Sequence, residues 1–182
     1  MDTIDRKILS ELQRNAAIAN QELAARVGLS PSPCLRRVRA LEAAGIIRGI
    51  VALVDGKAVG AGFVAYVEVR LEKQSEAFSS RFEAAILARP EVLECAFVTG
   101  AYDYLLKIAV ADLDEFHRFL TETLARIDGV ANTRTTIPVK RIKETTALRV
   151  GVGDANSAPP RMGGQISHIS SANVHLRRDP AD

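Results

Sequence analysis

Cysteine is scarce in this sequence, and long apolar runs are missing. The 182 residues include two cysteines, Cys34 and Cys95, which lie far apart and without partner spacing. We therefore expect neither a disulfide framework nor a metal site. No apolar run approaches the roughly 20 residues that a membrane span needs. The chain is charged within its first seven residues, which does not fit a signal peptide, so a reduced, cytoplasmic protein without membrane contact is expected.

Groups suited to catalysis are also few. His168 and His175 lie in the last part of the chain, and before it the only histidine is His117. No nucleophile–base pair, metal set or phosphate loop is visible, so we predict no enzymatic activity, no cofactor and no metal. The formal net charge of +2 is too small to mark a nucleic-acid binder. Any basic patch must therefore be local.

Two short helical patterns open the chain. Asp2 or Thr3 can cap the first helix, and its apolar residues share one face. These are Ile4, Ile8, Leu9 and Leu12. Asn20 is a suitable N-cap for a second helix, "QELAARV". Gly28 then predicts a left-handed C-cap followed by a tight turn.

A third, basic helix follows this turn. Ser32 is predicted to cap it with Pro33 at its first position, where a missing N–H costs nothing. An inward stripe is expected from Leu35, Val38 and Leu41. The opposite, arginine-rich side suits a DNA major groove, because arginine can pair with guanine edges or hold phosphates. The predicted DNA-binding residues are Ser30, Ser32, Pro33, Arg36, Arg37 and Arg39.

The helix, the glycine turn and the basic helix together predict a helix-turn-helix. On its own, a charged helix face is also what any solvated surface helix presents. The next piece, "GIIRGIVALVD", is β-rich and predicts a short strand or wing. Cys34 lies on the first turn of the basic helix, where the helix dipole could lower the pKa of its thiol. We interpret it instead as a small structural residue.

From Phe63 onward the apolar period changes from helical to alternating. "FVAYVEVRLE" reads as a half-buried strand, and the elements after it follow in the order β-α-β-β-α-β. This order predicts an α+β, ferredoxin-like unit. Its helices cover one face of the sheet and leave the other for a partner, so we expect a homodimer.

Composition shifts suggest the domain boundaries. We predict a helix-turn-helix domain over residues 1–55, a glycine-marked linker over 56–62 and a ferredoxin-like domain over 63–150. Residues 151–182 contain no Phe, Tyr or Trp. A segment that buries so little apolar area predicts a disordered tail.

Both domains in this order resemble the Lrp/AsnC (feast/famine) family. The resemblance rests on residues 2–150, with "NQELAARVGLSPSPCLRRVRALEAAGII" followed by "VTGAYDYLLKI" and "VKRIKETTAL". It implies an amino-acid-responsive transcriptional regulator in the bacterial cytoplasm, associated with the nucleoid. The implied partners are double-stranded DNA, a small-molecule effector and further copies of the chain, which would form a dimer and assemble to a tetramer or octamer.

The resemblance places the effector site around "TGAYDYLL". Gly100 permits a close backbone approach, and Asp103 offers an anionic partner for an ammonium group. The predicted effector-binding residues are Gly100, Ala101, Tyr102, Asp103, Tyr104 and Thr135, with Thr133 as a weaker candidate. An ordinary hairpin turn would use the same "GAYD" residues.

Two other functions remain open from the sequence. The chain could be a metabolite-binding oligomer that acts through protein partners, with a helical domain that has lost its DNA affinity. It could also be a small ferredoxin-like enzyme, although the scarcity of catalytic groups argues against that. Salt-dependent binding to promoter DNA would separate the first alternative from a DNA-binding regulator.

Overall fold

The computed structural model of the chain describes residues 1–73 and 75–151. These residues form two compact units. The first comprises Met1–Gly49 together with residues 145–151, and the second comprises Ile50–Glu144. The predicted domain bounds, with a second domain over 63–150, stay a prediction. The predicted tail beyond Gly151, with His168 and His175, lies outside the described residues.

The first unit contains the three predicted helices. They are α1 (Thr3–Arg14), α2 (Asn20–Val27) and α3 (Pro31–Ala43). Asp2 caps α1 through a capping box with Asp5, in which each side chain accepts a hydrogen bond from the other residue's N–H at 2.9 Å. The core of this unit is small, and its buried side chains come from all three helices. They are Ile8, Leu23, Ala24, Val27, Cys34 and Leu41.

Two predicted helix starts are wrong. Ser30 is the N-cap of α3 and Pro31 is its first residue, so the helix begins two residues before the predicted Pro33. Both Ser-Pro pairs satisfy the same rule, and the earlier pair is the one used. Ala19, not Asn20, is the N-cap of α2. The side-chain amide of Asn20 instead donates a hydrogen bond to the carbonyl of Pro31 at 2.9 Å.

The predicted strand after α3 is also wrong. Within the described chain, residues 46–62 form a short bend, an irregular stretch and a turn but no strand. Ile50, Val51, Leu53 and Val54 are all exposed. A strand needs a neighbouring strand for its ladder of hydrogen bonds, and none of the described strands pairs with this segment.

The second unit has the predicted ferredoxin-like topology. Its elements are β1 (Phe63–Leu71), α4 (Glu76–Leu87), β2 (Val92–Phe97), β3 (Tyr104–Val110), α5 (Leu113–Arg118) and β4 (Val130–Thr136). After α5 the chain continues as a π-helical turn, Phe119–Thr123, and a 3-10 turn, Leu124–Arg126. The strands lie in the order β2-β3-β1-β4, and each neighbouring pair is antiparallel.

The helices cover one face of this sheet. The alternating residues of β1 and β3 supply most of the core, joined by Phe82 and Ile86 of α4 and by Phe116 of α5. The strand residues are Ala65, Val67, Val69, Leu71, Tyr104, Leu106, Ile108 and Val110. The opposite face carries the intervening residues, which are half-buried or exposed. This agrees with the face that was predicted to remain for a partner.

Candidate DNA-binding helix and effector loop

The turn between α2 and α3 is tight. Gly28 ends α2 in the left-handed conformation with φ 76°, as predicted, and glycine adopts this conformation without a steric penalty. The N–H of Leu29 donates to the carbonyl of Ala24 at 2.8 Å. Together with the bond from Asn20 to Pro31, these contacts fix the start of α3 against α2. The geometry is that of a helix-turn-helix.

The inward side of α3 differs from the predicted stripe. Cys34 and Leu41 are buried, and Val38 packs partly against them. Leu35, which was predicted to point inward, is 39% exposed. The packed residues Cys34, Val38 and Leu41 follow the i, i+4 and i+7 spacing of one helix face, and Leu35 lies one residue, about 100°, away from Cys34 around the helix.

Cys34 is therefore a core residue. Its side chain is fully buried, and burial raises the pKa of its thiol. A raised pKa leaves less of the reactive thiolate at neutral pH. This supports the interpretation of Cys34 as a small structural residue over that of a redox-sensitive thiol.

Two of the three arginines of α3 lie exposed on its outward side. Arg36 and Arg39 are exposed, and within the described residues neither takes part in an ion pair. Ser32 is exposed and Pro33 is half-buried. Positions 32, 36 and 39 follow the i, i+4 and i+7 spacing of one helix face. Side chains on this face are available to a partner.

Arg37 has a structural contact that sequence reasoning missed. Its guanidinium lies 2.6 Å from the carboxylate of Asp2 and 2.8 Å from that of Asp5. Asp5 and Asp2 raise the pKa of Arg37. The pKa of Asp2 is lowered, chiefly by the backbone N–H of Asp5 and then by Arg37. The arginine thus fastens α3 to the N-terminus of α1.

Other ion pairs neutralise further acidic side chains of this unit. Arg26 bridges Glu11 and Glu22 at 2.8 and 2.6 Å, and Arg14 also reaches Glu11. Most acidic side chains of α1 and α2 are therefore neutralised by arginines that lie outside the outward face of α3. An acid in the first turn of α1 is the sequence signal that could have indicated the partner of Arg37.

The predicted effector loop joins β2 to β3. Gly100 has φ 124°, a conformation that favours glycine, and open space surrounds the position of its missing side chain. Ala101 is exposed and Tyr102 is half-buried. The N–H of Val98 donates to the carbonyl of Asp103 at 2.8 Å and closes the loop. Its tip therefore presents backbone to solvent.

Asp103 points inward, away from the exposed tip. It is only 5% exposed, and its carboxylate accepts a hydrogen bond from the N–H of Leu71 at 2.8 Å. Its own N–H donates to the carbonyl of Val69 at 2.9 Å. The carboxylate therefore ties the loop to the end of β1, which is a structural role that the sequence did not reveal.

Tyr104 is likewise part of the core. It is 2% exposed, and its ring packs against Phe82 and Phe97. Its hydroxyl donates to the carboxylate of Glu83 at 2.8 Å. Burial raises the pKa of the Tyr104 hydroxyl. Glu83, on α4, is a contact that sequence spacing did not predict.

Thr135 lies apart from the loop within one chain. It is on the edge strand β4, opposite Val67 of β1, whose other neighbour is Leu106 of β3. Two strand spacings, about 10 Å, therefore separate it from β3. Thr133, the weaker candidate, lies one row closer to the loop, opposite Val69. The structure thus brings residues 100–104 together but does not bring Thr135 to them.

Three features of the described residues bear on other classes of function. His117 is exposed on α5, as expected for a helix surface residue. Over residues 1–73 and 75–151, no cluster of three or more His, Cys, Asp or Glu side chains could hold a metal ion. In the same part of the chain, no helix has the length and hydropathy needed to cross a membrane.

Comparison with protein families agrees with this two-unit organisation. Residues 1–48 match winged helix-turn-helix DNA-binding domains. Residues 64–148 match the Lrp/AsnC ligand binding domain.

Two similar proteins carry the name leucine-responsive regulatory protein. The leucine-responsive regulatory protein of Salmonella typhimurium is 43% identical over 148 residues, which are 81% of this chain and 90% of that protein. The protein of the same name from Haemophilus influenzae is 45% identical over 81% of this chain and 89% of its own length.

Solved structures of similar proteins agree with these sequence comparisons. A transcriptional regulator of Neisseria meningitidis in complex with L-Met is 40% identical and superposes with a TM-score of 0.79, covering 82% of this chain and 96% of that one. AsnC of Escherichia coli is 29% identical with a TM-score of 0.75, covering 81% of this chain and 97% of its own.

Proposed function

The chain belongs to the Lrp/AsnC family of DNA-binding transcriptional regulators, and we propose that an amino acid bound by its second unit controls how its first unit occupies DNA. The observation that carries this proposal is the pairing of a helix-turn-helix with a ligand binding domain in one chain. The DNA contacts are assigned to the outward face of α3. The chain acts without catalysis, in the cytoplasm and at the nucleoid.

At the DNA, we assign the base and phosphate contacts first to Arg36 and Arg39. They are exposed, and ion pairs with the described acids do not compete for them. Ser32 and Ser30, near the start of the same helix, can donate to phosphates, and Pro33 keeps that end small. Arg37 is committed to Asp2 and Asp5, so its contribution to DNA affinity is the weakest of the three arginines.

At the effector loop, the structure supports dividing the six predicted residues by burial. Gly100, Ala101 and Tyr102 are the accessible part. The backbone N–H groups near Gly100 suit a carboxylate, because glycine permits close approach. Asp103 and Tyr104 support the loop from the core, so a direct bond from Asp103 to the ammonium group stays a prediction. Thr135 can reach a ligand at the loop only from another copy of the chain.

This last point links the effector site to assembly. The open sheet face and the exposed apolar residues Ile50, Val51, Leu53 and Val54 need cover of the kind that a second copy provides. We propose a homodimer that assembles further to a tetramer or octamer. A ligand shared between copies then shifts assembly and DNA occupancy together, because coupling between two binding events is reciprocal.

The experiment is a titration with leucine and methionine, because the relatives include leucine-responsive proteins and a structure with L-Met. The DNA is a duplex that the wild-type protein selects from a random library. Operator affinity and sedimentation coefficient are followed in the same samples. We expect one amino acid to change both quantities at the same concentration. If neither leucine nor methionine nor any other of the common twenty amino acids changed operator affinity or sedimentation coefficient, the effector would be removed from the proposal.

A further inference from the structure

The last described residues of the chain lie against α1 of the first unit. The side-chain amide of Gln13 contacts both backbone groups of Leu148. Its nitrogen donates to the carbonyl of Leu148 at 3.0 Å, and its oxygen accepts from the N–H of Leu148 at 2.6 Å. One side chain therefore satisfies both backbone hydrogen-bonding groups of Leu148, as a neighbouring β-strand would.

A second contact fixes the direction of this segment. A Cβ placed on Gly151 would lie 3.2 Å from Nη1 and 3.3 Å from Cδ of Arg6. Arg6 and Gln13 are seven residues, or about 10.5 Å, apart on α1. Leu148 and Gly151 are three residues apart, which spans about 10 Å in an extended chain. The two lengths agree, so the segment runs antiparallel along one face of α1.

Some residues become less exposed where the docked segment begins. Residues 141–146 are exposed, whereas Ala147 and Val150 are half-buried. The side chain of Leu148 is 75% exposed. The segment is thus held through its backbone and its small residues, and the Leu148 side chain contributes little.

We infer that Gln13 is a positioning residue that docks residues 145–151 on α1 and so makes a second connection between the ligand-binding unit and the DNA-binding unit. The chain enters the second unit after Gly49 and returns to the first at Thr145. The returning segment follows β4, which contains Thr135. A change in β4 therefore reaches α1 through the residues that Gln13 holds. This role rests on the proposed function, and it gives the path by which the ligand-binding unit would influence the DNA-binding unit.

The docking is tested without DNA or amino acid, by hydrogen exchange of the full-length protein. Gln13→Ala should speed exchange of the Leu148 amide by about tenfold or more, because it removes the oxygen that accepts from this N–H. Leu148→Pro removes the N–H itself and is used only in the DNA test below. Leu148→Ala is the matched control, since it keeps both backbone groups, and should stay within about twofold of wild type. Gln13→Glu keeps the acceptor but loses the donor, so its exchange should be intermediate. Fast exchange in wild type, or no change in Gln13→Ala, overturns the docking.

The coupling is tested by the ratio of operator affinities with and without leucine or methionine. Gln13→Ala and Leu148→Pro should bring this ratio to within about twofold of one, while Leu148→Ala keeps the wild-type ratio. A merely structural role for Gln13 would lower the melting temperature and leave the ratio unchanged, which would overturn the inference. If no amino acid alters operator affinity in wild type, the proposed effector and this route both fall. The exchange result still decides whether the segment docks.

Discussion

The outward face of α3 and the loop between β2 and β3 hold the two proposed sites, and they differ in how far their residues also build the core. Arg36, Arg39 and Ser32 are exposed, so we expect the folded unit not to depend on their side chains. In the loop, Asp103 and Tyr104 are buried and bonded to other elements. On the helix, binding and folding are separate. In the loop they share residues, so a loop substitution changes both.

The largest expected effect tests the loop side of this comparison. Asp103→Ala leaves the N–H of Leu71 without its carboxylate partner, and a buried group left unsatisfied costs about 1–3 kcal/mol of unfolding free energy. Asp103→Asn is the matched variant, because it keeps an oxygen near that N–H, and it should lose less. Urea unfolding followed by circular dichroism measures both. Equal stability of Asp103→Ala and wild type would show that the loop residue is not part of the fold.

A smaller effect separates two neighbouring arginines of α3. Arg37→Ala should lower the melting temperature of the first unit, because it removes the contacts to Asp2 and Asp5. Arg36→Ala makes the same change of residue type in the same helix and should melt like wild type. Differential scanning calorimetry compares them. If the two variants melted alike, these ion pairs would contribute nothing to stability, as is the case for many surface ion pairs.

The smallest effect is on the acid dependence of stability. The lowered pKa of Asp2 means that its stabilisation is present above the ordinary carboxyl pKa of about 4. It is lost as the pH falls through the lowered value. The difference in melting temperature between wild type and Arg37→Ala should therefore be constant near neutral pH and shrink below about pH 4. A gap that does not depend on pH would place the stabilisation in packing of the arginine stem instead.

Much of this fold could be predicted from the sequence because it follows from periodicity. The alternation of Val67, Val69 and Leu71 and the left-handed Gly28 are local signals, and both predictions are confirmed. The pairing of Arg37 with Asp2 joins residues far apart in sequence, and no local pattern encodes it. Burial of Asp103 escaped prediction for the same reason, since "GAYD" is compatible with an exposed turn and with an anchored one. The wrong strand at 45–55 had suitable residues but no partner strand within the described chain.

The most direct test of the central claim, that the outward face of α3 binds DNA independently of the fold, is the salt dependence of operator binding. The protein that carries both Arg36→Ala and Arg39→Ala is compared with wild type by fluorescence anisotropy from low to high salt, after calorimetry shows equal melting. Each lost phosphate contact makes the slope of log K against log salt shallower by about 0.9, and each lost base contact costs about 1–3 kcal/mol of binding. We predict weaker binding at every salt concentration and a slope shallower by about one to two. A folded double variant with wild-type affinity and wild-type slope would contradict the account.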